Sequence, residues 1–345
     1  MNTESTPPPP RLSVCIPTHQ RPQLLARAVR SVLENGLAEI EIVISDDASD
    51  PAVRDWVAGL NDPRVSYYAH EQAGIAANWS HVLSKANAPY AMKLDDDDYL
   101  RPGFLPRTCE FLDRHPDVSI VFAAHVAQYQ SGKEVPLIDV DFFKGRDVVE
   151  GYEYASALLL NQGYPLNHKS TGVFRNALAR QIGYFDRIGI DVFWTVAMAS
   201  LGNVGYIAEP LFVYCVDSGS NEGMGWRPLR MTMESLRELF ALDSFRSRPE
   251  WATMRETAMQ RMRVAIPLLY ISGDFSHRGW RCGWRTAIRL AREFPDVKKN
   301  RMYWPTVFLL GFLPQRLYNW AQDYYRRKEW PRRTINWISA RFARR

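Results

Sequence analysis

The sequence predicts an α/β protein: a Rossmann-like, mainly parallel sheet flanked by helices, followed by a helical C-terminal region. Three observations carry this expectation. Strand and helix patterns alternate regularly from Leu12 to Leu94, acidic residues close two of the strands, and from Trp226 onward the composition shifts to helix formers. Such alternation is the pattern of a sheet covered by helices on both faces.

The leader MNTESTPPPPR lacks the apolar stretch of a signal peptide, and its prolines favour an extended chain, so residues 1–10 are expected to be disordered. Leu12 to Pro17 (LSVCIP) reads as a short buried strand. After the turn THQRP, the residues Leu24, Leu25, Ala28, Val29, Val32 and Leu33 recur at helical spacing, and Gly36 closes that helix. Ile40 to Ser45 is a second strand ending in Asp46 and Asp47, and Val53, Trp56, Val57 and Leu60 mark the next helix. Val65 to Ala69 is a third strand. A helix from about Ile75 to Lys85 leads to a fourth, Tyr90 to Leu94, which runs straight into Asp95, Asp96, Asp97 and Asp98.

Beyond about Val126 the pattern becomes irregular, with turns near Gly132 and Gly145 and a polar, aromatic stretch from Asn161 to Gly172. A helix is expected from Asp191 to Leu201 and a strand pair around Tyr206 to Val216. Trp251, Met254, Ala258, Met262, Ala265 and Leu269 keep one helical face, a packing stripe.

Four adjacent carboxylates repel one another, so such a run persists only where water is plentiful or a cation gathers the charge. Ligands of doubly wound sheets bind outside the carboxyl ends of the strands. Asp46-Asp47 and Asp95 to Asp98 both stand at such ends, so two distant clusters can converge on one crevice; the plainer alternative is two solvated turns. Cys15, Cys109, Cys215 and Cys282 are scattered singly, with no zinc-site spacing, and a reducing cytoplasm is the simplest compartment. The longest apolar runs, such as Val307 to Leu313, fall short of the roughly 20 residues of a spanning helix. A net charge of +5 suits an anionic ligand or surface without singling out nucleic acid.

Five features in order bring a family into view: IPTHQRP (Ile16 to Pro22), VISDDASD (Val43 to Asp50), Gly74 and Asn78 in GIAANWSHVLSKANAPY, the run Asp95 to Asp98 with Pro102 behind it, and FDRIGIDVFWTVAMASLGNVGYIAEPLFVY (Phe185 to Tyr214). Over roughly Leu12 to Ser220 the chain resembles the family 2 glycosyltransferases of the GT-A fold. The resemblance implies a catalytic domain over 11–225, with a nucleotide-binding half at 11–125 and an acceptor half at 126–225, ahead of a helical region at 226–345. It also implies a nucleotide-sugar donor, a UDP-sugar before others, and a glycan or lipid-linked acceptor of bacterial polysaccharide assembly.

A hard divalent cation bridging diphosphate oxygens takes carboxylate ligands and several waters, so Mn2+ or Mg2+ is the expected cofactor. By its place before Pro102, Asp97 resembles the direct metal ligand, with Asp95 and Asp96 nearer the ribose and diphosphate; Asp98 is either a further ligand or a cap of the following turn. Pro17 and His19 would lie against the base, Asp47 would accept a hydrogen bond from it, and Arg21 would sit near the phosphates. His19 stands where relatives often carry Tyr. Asp46 would orient its loop from behind, and Asp50 is a turn residue or a ligand.

An acceptor alcohol needs a general base within hydrogen-bond reach. Asp191, in the sequence GID at a helix start, is the candidate; an N-cap is the alternative. With a base there, the resemblance implies inversion at the anomeric carbon. Relatives often have His after the strand LFVYCV, where this chain has Asp217, a candidate second metal ligand or an ordinary loop acid. The glycine-rich DSGSNEGMG that follows could close over the diphosphate.

Between Gln315 and Arg345 there are nine basic residues, interleaved with Trp320, Tyr324, Tyr325, Trp330, Trp337 and Phe342. That pattern fits peripheral membrane contact at the cytoplasmic face or packing on the catalytic domain, and nucleic acid less well. Two other functions compete with transfer. A non-catalytic sugar-nucleotide or polysaccharide binder would use the same residues, whereas a nucleotidyltransferase would carry a glycine-rich loop where this chain has THQRP.

Overall fold

The computed structural model describes residues 9–69, 74–137, 140–160, 172–185, 188, 191–216, 229–258, 280–293 and 303–312. The chain opens with β1 (Leu12–Thr18), α1 (Pro22–Leu33), β2 (Ile40–Asp46), α2 (Pro51–Leu60), β3 (Val65–Ala69), α3 (Ile75–Ser84) and β4 (Tyr90–Lys93). β5 (Tyr99–Leu100), α4 (Phe104–Arg114), β6 (Val118–Gln128), β7 (Glu134–Leu137), α5 (Val140–Phe143), β8 (Val148–Val149) and α6 (Gly151–Leu159) follow. Next come β9 (Val173–Arg175), α7 (Asn176–Ile182), α8 (Asp191–Ala199), β10 (Asn203–Cys215), α9 (Leu229–Ala241), α10 (Asp243–Arg246), α11 (Trp280–Glu293) and α12 (Tyr303–Phe312).

The strands form one sheet in the order β3-β2-β1-β4-β9-β6-β10-β5, with β7 added on β6 and β8 on β10. β1 is buried along its whole length because it runs parallel between β2 and β4 with both faces covered. α1 starts with Pro22, whose fixed φ suits a first helical position, and it buries Leu25, Ala28, Val29 and Val32. Those side chains join Leu12, Val14, Ile16, Ile42, Ile44, Met92, Phe104 and Phe212 in one core. α2 is capped by Asp50, whose side chain accepts from Ala52 N at 2.9 Å. Gly74, at φ 88, makes the left-handed entry to α3 that a residue with a Cβ would strain to adopt.

Three features depart from the sequence reading. β9 inserts antiparallel between β4 and β6, so the parallel sheet is interrupted at its centre. The expected strand pair around Tyr206 to Val216 is one long strand, β10, whose register against β6 shifts around Pro210, a residue with no N–H for the ladder. β5 follows the acidic turn directly and pairs antiparallel with Phe212 and Val213 of β10.

The chain divides into two compact units. The first holds the sheet. The second comprises 159–163, 226–233 and 246–345; its described part is helical and includes residues 249–258, where Trp251, Met254 and Ala258 of the expected packing stripe are buried. Met262, Ala265 and Leu269 lie outside the described residues, as does 315–345. Among the described residues no helix is long and apolar enough to cross a membrane.

Candidate active site

The carboxyl ends of β1, β2 and β4 bring together the three segments THQR, SDD and LDDDD. Register explains it: Pro17 and Thr18 lie opposite Ser45 and Asp46, and Cys15 lies opposite Lys93, so strands of matched length end together. Leu94 N donates to Cys15 O at 2.9 Å, which carries the β1 pairing up to the first aspartate. The turns after β1 and β2 each hold one non-glycine residue at positive φ, Gln20 (54°) and Ser49 (51°), an unfavourable backbone choice typical of functional loops.

Each acidic side chain of the fourth strand end has its own partner. Asp95 is ion-paired with Lys93, a lysine only 1% exposed. The Lys93 ammonium also lies 4.0 Å from the ring centroid of Trp79, so burial of this charge is offset by a carboxylate and an aromatic face. Asp96 is fully buried and accepts from Thr18 Oγ1 at 2.6 Å. Arg21 Nη2 stands 2.6 Å from Asp96 Oδ1, and Arg21 Nη1 reaches Asp97 Oδ2 at 3.4 Å. Despite the close guanidinium, Asp96 Oδ1 receives no hydrogen bond of good geometry among the described residues. Arg27 adds a hydrogen bond to the Asp97 carbonyl at 2.5 Å. Asp98 is buried and accepts from Cys215 N at 2.9 Å.

Desolvation dominates the electrostatics. It pushes the Asp96 carboxyl up to about 7, with Arg21 and Thr18 opposing and the Asp97 and Asp95 charges reinforcing. Asp98 is also held well above the usual carboxylate range, first by burial and then by Asp95 and Asp97.

The other predicted residues fall around this turn. His19 Nδ1 and Asp47 Oδ1 share a 2.6 Å hydrogen bond; the His19 side chain is 41% exposed and Asp47 is buried. Asp46 faces inward: its carboxylate accepts from Ala48 N, Asp50 N and Tyr67 Oη, bracing the loop that presents Asp47. Asn78 fills the space between β1 and β2, accepting from Ser45 Oγ at 2.6 Å and donating to Thr18 O at 3.2 Å.

Asp191 is the first residue of α8, and its Oδ1 accepts from Val192 N at 2.9 Å. Among the described residues no hydrogen bond or ion pair joins Asp191 to the acidic turn. A run of rings connects the two regions instead: Trp79 meets Phe185 edge to face at 5.0 Å, and Phe185 stacks on Trp194 of α8 at 5.2 Å. Asp217, the predicted second metal ligand, lies outside the described residues, as do 218–225 and the segment 161–171.

Lys93, Thr18 and the anchoring role of Asp98 escaped the sequence reading. A lysine inside an otherwise apolar strand (YAMK) was the available signal for the first, since a buried cation demands a partner close by.

The donor set is hard oxygen. Among the described residues no three His, Cys, Asp or Glu side chains gather to hold a metal by themselves. Carboxylate oxygens are the donors that Mg2+ or Mn2+ takes on a diphosphate, where one or two of them share the ion with phosphate oxygens and water. An incompletely satisfied, buried Asp96 Oδ1 beside Asp97 fits it further.

Comparison with known proteins bears on the family and the fold. The sequence profile of glycosyl transferase family 2 matches residues 13–183. The putative colanic acid biosynthesis glycosyl transferase WcaA of Escherichia coli is 30% identical over 181 residues, covering 50% of this chain and 56% of that protein. The GalNAc(5)-diNAcBac-PP-undecaprenol beta-1,3-glucosyltransferase of Campylobacter jejuni is 34% identical over 100 residues, 28% of this chain and 32% of its own. The chain thus spans little more than half the length of these curated relatives, or less. Among solved structures, S. aureus TarS 1-349 in complex with UDP-GlcNAc superposes with a TM-score of 0.57 at 14% identity, covering 92% of this chain and 91% of the other. The mannosyltransferase PcManGT from Pyrobaculum calidifontis, in complex with GDP-Man and Mn2+, superposes with a TM-score of 0.51 at 17% identity, covering 97% and 85%.

Proposed function

Since residues 13–183 are a glycosyl transferase family 2 domain and the fold is GT-A, we propose that this protein is a metal-dependent, inverting glycosyltransferase that moves a sugar from a nucleotide-sugar donor to a hydroxyl of a glycan or lipid-linked acceptor. The observation that carries the proposal is the meeting of three strand ends: His19 and Asp47 in contact on one side, and Thr18 and Arg21 on Asp96 on the other. This is a surface with an aromatic ring and a carboxylate for a base and ribose, next to carboxylates for a cation and diphosphate.

In this reading Pro17 and His19 lie against the base, and Asp47 accepts from one of its N–H groups. Asp95 and Asp96 face the ribose and diphosphate, while Arg21, already beside Asp96 and Asp97, has a guanidinium fork suited to phosphate oxygens. Asp97, with Asp217, would hold Mn2+ or Mg2+, which supplies charge neutralisation to the departing nucleoside diphosphate. Asp191 takes the proton from the acceptor hydroxyl at its carboxylate as the oxygen attacks the anomeric carbon from the face opposite the leaving group, and that in-line geometry inverts the configuration. The named donors of the neighbours, UDP-GlcNAc for TarS and GDP-Man for PcManGT, support a nucleotide sugar as a class, with a UDP-sugar the first to try. The undecaprenol-linked substrate in the name of the C. jejuni relative supports a lipid-linked acceptor and work at the cytoplasmic face of a membrane.

The test is thermal stability against UDP, GDP and dTDP, each with Mn2+ and again with chelator. A ligand of the native state raises its stability by about 2.7 kcal/mol at 100 times its Kd. A metal-dependent rise with one nucleotide is expected. A folded protein that responds to none of them removes the donor assignment.

A further inference from the structure

We propose that α11 in the second unit is a docking face for anionic phospholipid bilayers, with its arginines on the headgroups and Ile288 and Phe308 at the acyl boundary. This goes beyond the reaction assigned above, because the surface lies in the helical unit and its binding needs neither donor nor acceptor.

The observation is a strict division of one helix. Arg281, Arg285, Ile288, Arg289 and Arg292 are all exposed, while Gly283, Thr286, Ala287 and Ala291 are buried. At about 100° per residue the exposed set falls within an arc of about 100°. That arc contains four arginines and no acidic residue. It also contains an apolar side chain that packing does not require there: Ile288 is 43% exposed.

The neighbouring helix extends the apolar part. α12 packs on α11 through Tyr303, whose hydroxyl donates to Ala287 O at 2.8 Å, and Val307 of α12 is fully buried. Phe308 meets Trp284 edge to face at 5.0 Å and remains 49% exposed. Only four large hydrophobic side chains are exposed to this degree among the described residues, and two of them lie on these adjacent helices.

Charge alone would suit any polyanion. The combination decides the occupant: a soluble polyanion offers nothing to Ile288 and Phe308, whereas a bilayer surface offers lipid phosphates to the arginines and hydrocarbon to the two side chains. With 14 residues, α11 is too short to span a bilayer and suits one lying in its surface.

The experiment uses the full chain and liposomes of phosphatidylcholine alone or with 30% phosphatidylglycerol, with binding read by co-sedimentation at two salt concentrations. The chain is expected to bind the anionic vesicles only. Arg281→Gln/Arg285→Gln/Arg292→Gln is expected to weaken binding roughly 100-fold, since each basic residue at an anionic surface contributes a factor of about five. A control with three exposed basic residues of the first unit changed, Arg30→Gln/Arg54→Gln/Lys133→Gln, is expected to bind like the parent. Ile288→Ser/Phe308→Ser is expected to weaken binding while leaving its salt dependence unchanged. Melting curves for all variants separate lost docking from lost folding. If the triple arginine variant binds vesicles as well as the parent, the basic segment 315–345 or another surface is responsible and the proposal is overturned. It is equally overturned if the parent ignores vesicles yet binds polyphosphate in a way the same arginines control.

Discussion

Asp98 Oδ1 accepts a 2.9 Å hydrogen bond from Cys215 N, joining residues 117 positions apart in the chain. The last carboxylate of the acidic run therefore ties its turn to the end of β10, two residues before Asp217. A buried acceptor that is lost leaves the Cys215 N–H without its partner, at a cost of about 1–3 kcal/mol. Asp98→Ala is expected to lower stability by that amount, whereas Asp98→Asn keeps an acceptor oxygen, removes repulsion from Asp95 and Asp97, and is expected to be neutral or stabilising. Equal melting temperatures for the alanine variant and the parent would contradict this anchoring role.

Asp96 gives a pH-dependent signature. Its folded-state value, raised to about 7 chiefly by burial, exceeds that of the unfolded chain, near 3.9. Its contribution to stability is therefore fully present below about pH 4 and is lost as pH rises through about 7. In chelator, Asp96→Asn is expected to change stability little at pH 4 and to raise it increasingly toward pH 8, by up to about 4 kcal/mol. A difference between variant and parent that does not change with pH rules out a displaced Asp96 titration.

Lys93 is a buried cation with two partners, Asp95 and the Trp79 ring. Lys93→Met keeps volume and removes charge, leaving Asp95 without its counter-ion; Asp95 is itself 26% exposed, so water recovers part of the loss. A destabilisation of about 1–3 kcal/mol is expected, accompanied by weaker nucleotide binding because Asp95 is no longer held. Chemical denaturation and nucleotide titration measure the two effects, and unchanged affinity limits Lys93 to a structural part.

Asp191→Asn is expected to keep nucleotide binding and lose turnover by 100- to 10,000-fold, the usual span for a general base. Single-turnover assays with a defined acceptor separate these quantities. Retained turnover assigns the base elsewhere and leaves Asp191 as the start of α8.

The sheet was legible because burial on both faces writes apolar runs into the strands, and Asp46-Asp47 and Asp95 to Asp98 were legible as strand-end clusters for the same reason. The antiparallel β9 was not, since three residues, Val173–Arg175, carry no periodicity to read. Nor was the single continuous β10, because Pro210 interrupts its pattern as a turn would.

By itself, the amino-acid order determined the alternating α/β architecture, the family resemblance and which carboxylates stand at strand ends, since periodicity and charge runs are local. Only the tertiary structure decided the partners: Arg21 with Asp96, Lys93 with Asp95 and Trp79, His19 with Asp47, and Asp98 with Cys215. The reason is physical. A side chain's composition states what it can bond to, but strand register and burial determine which group comes within reach and how strongly water is excluded from the pair.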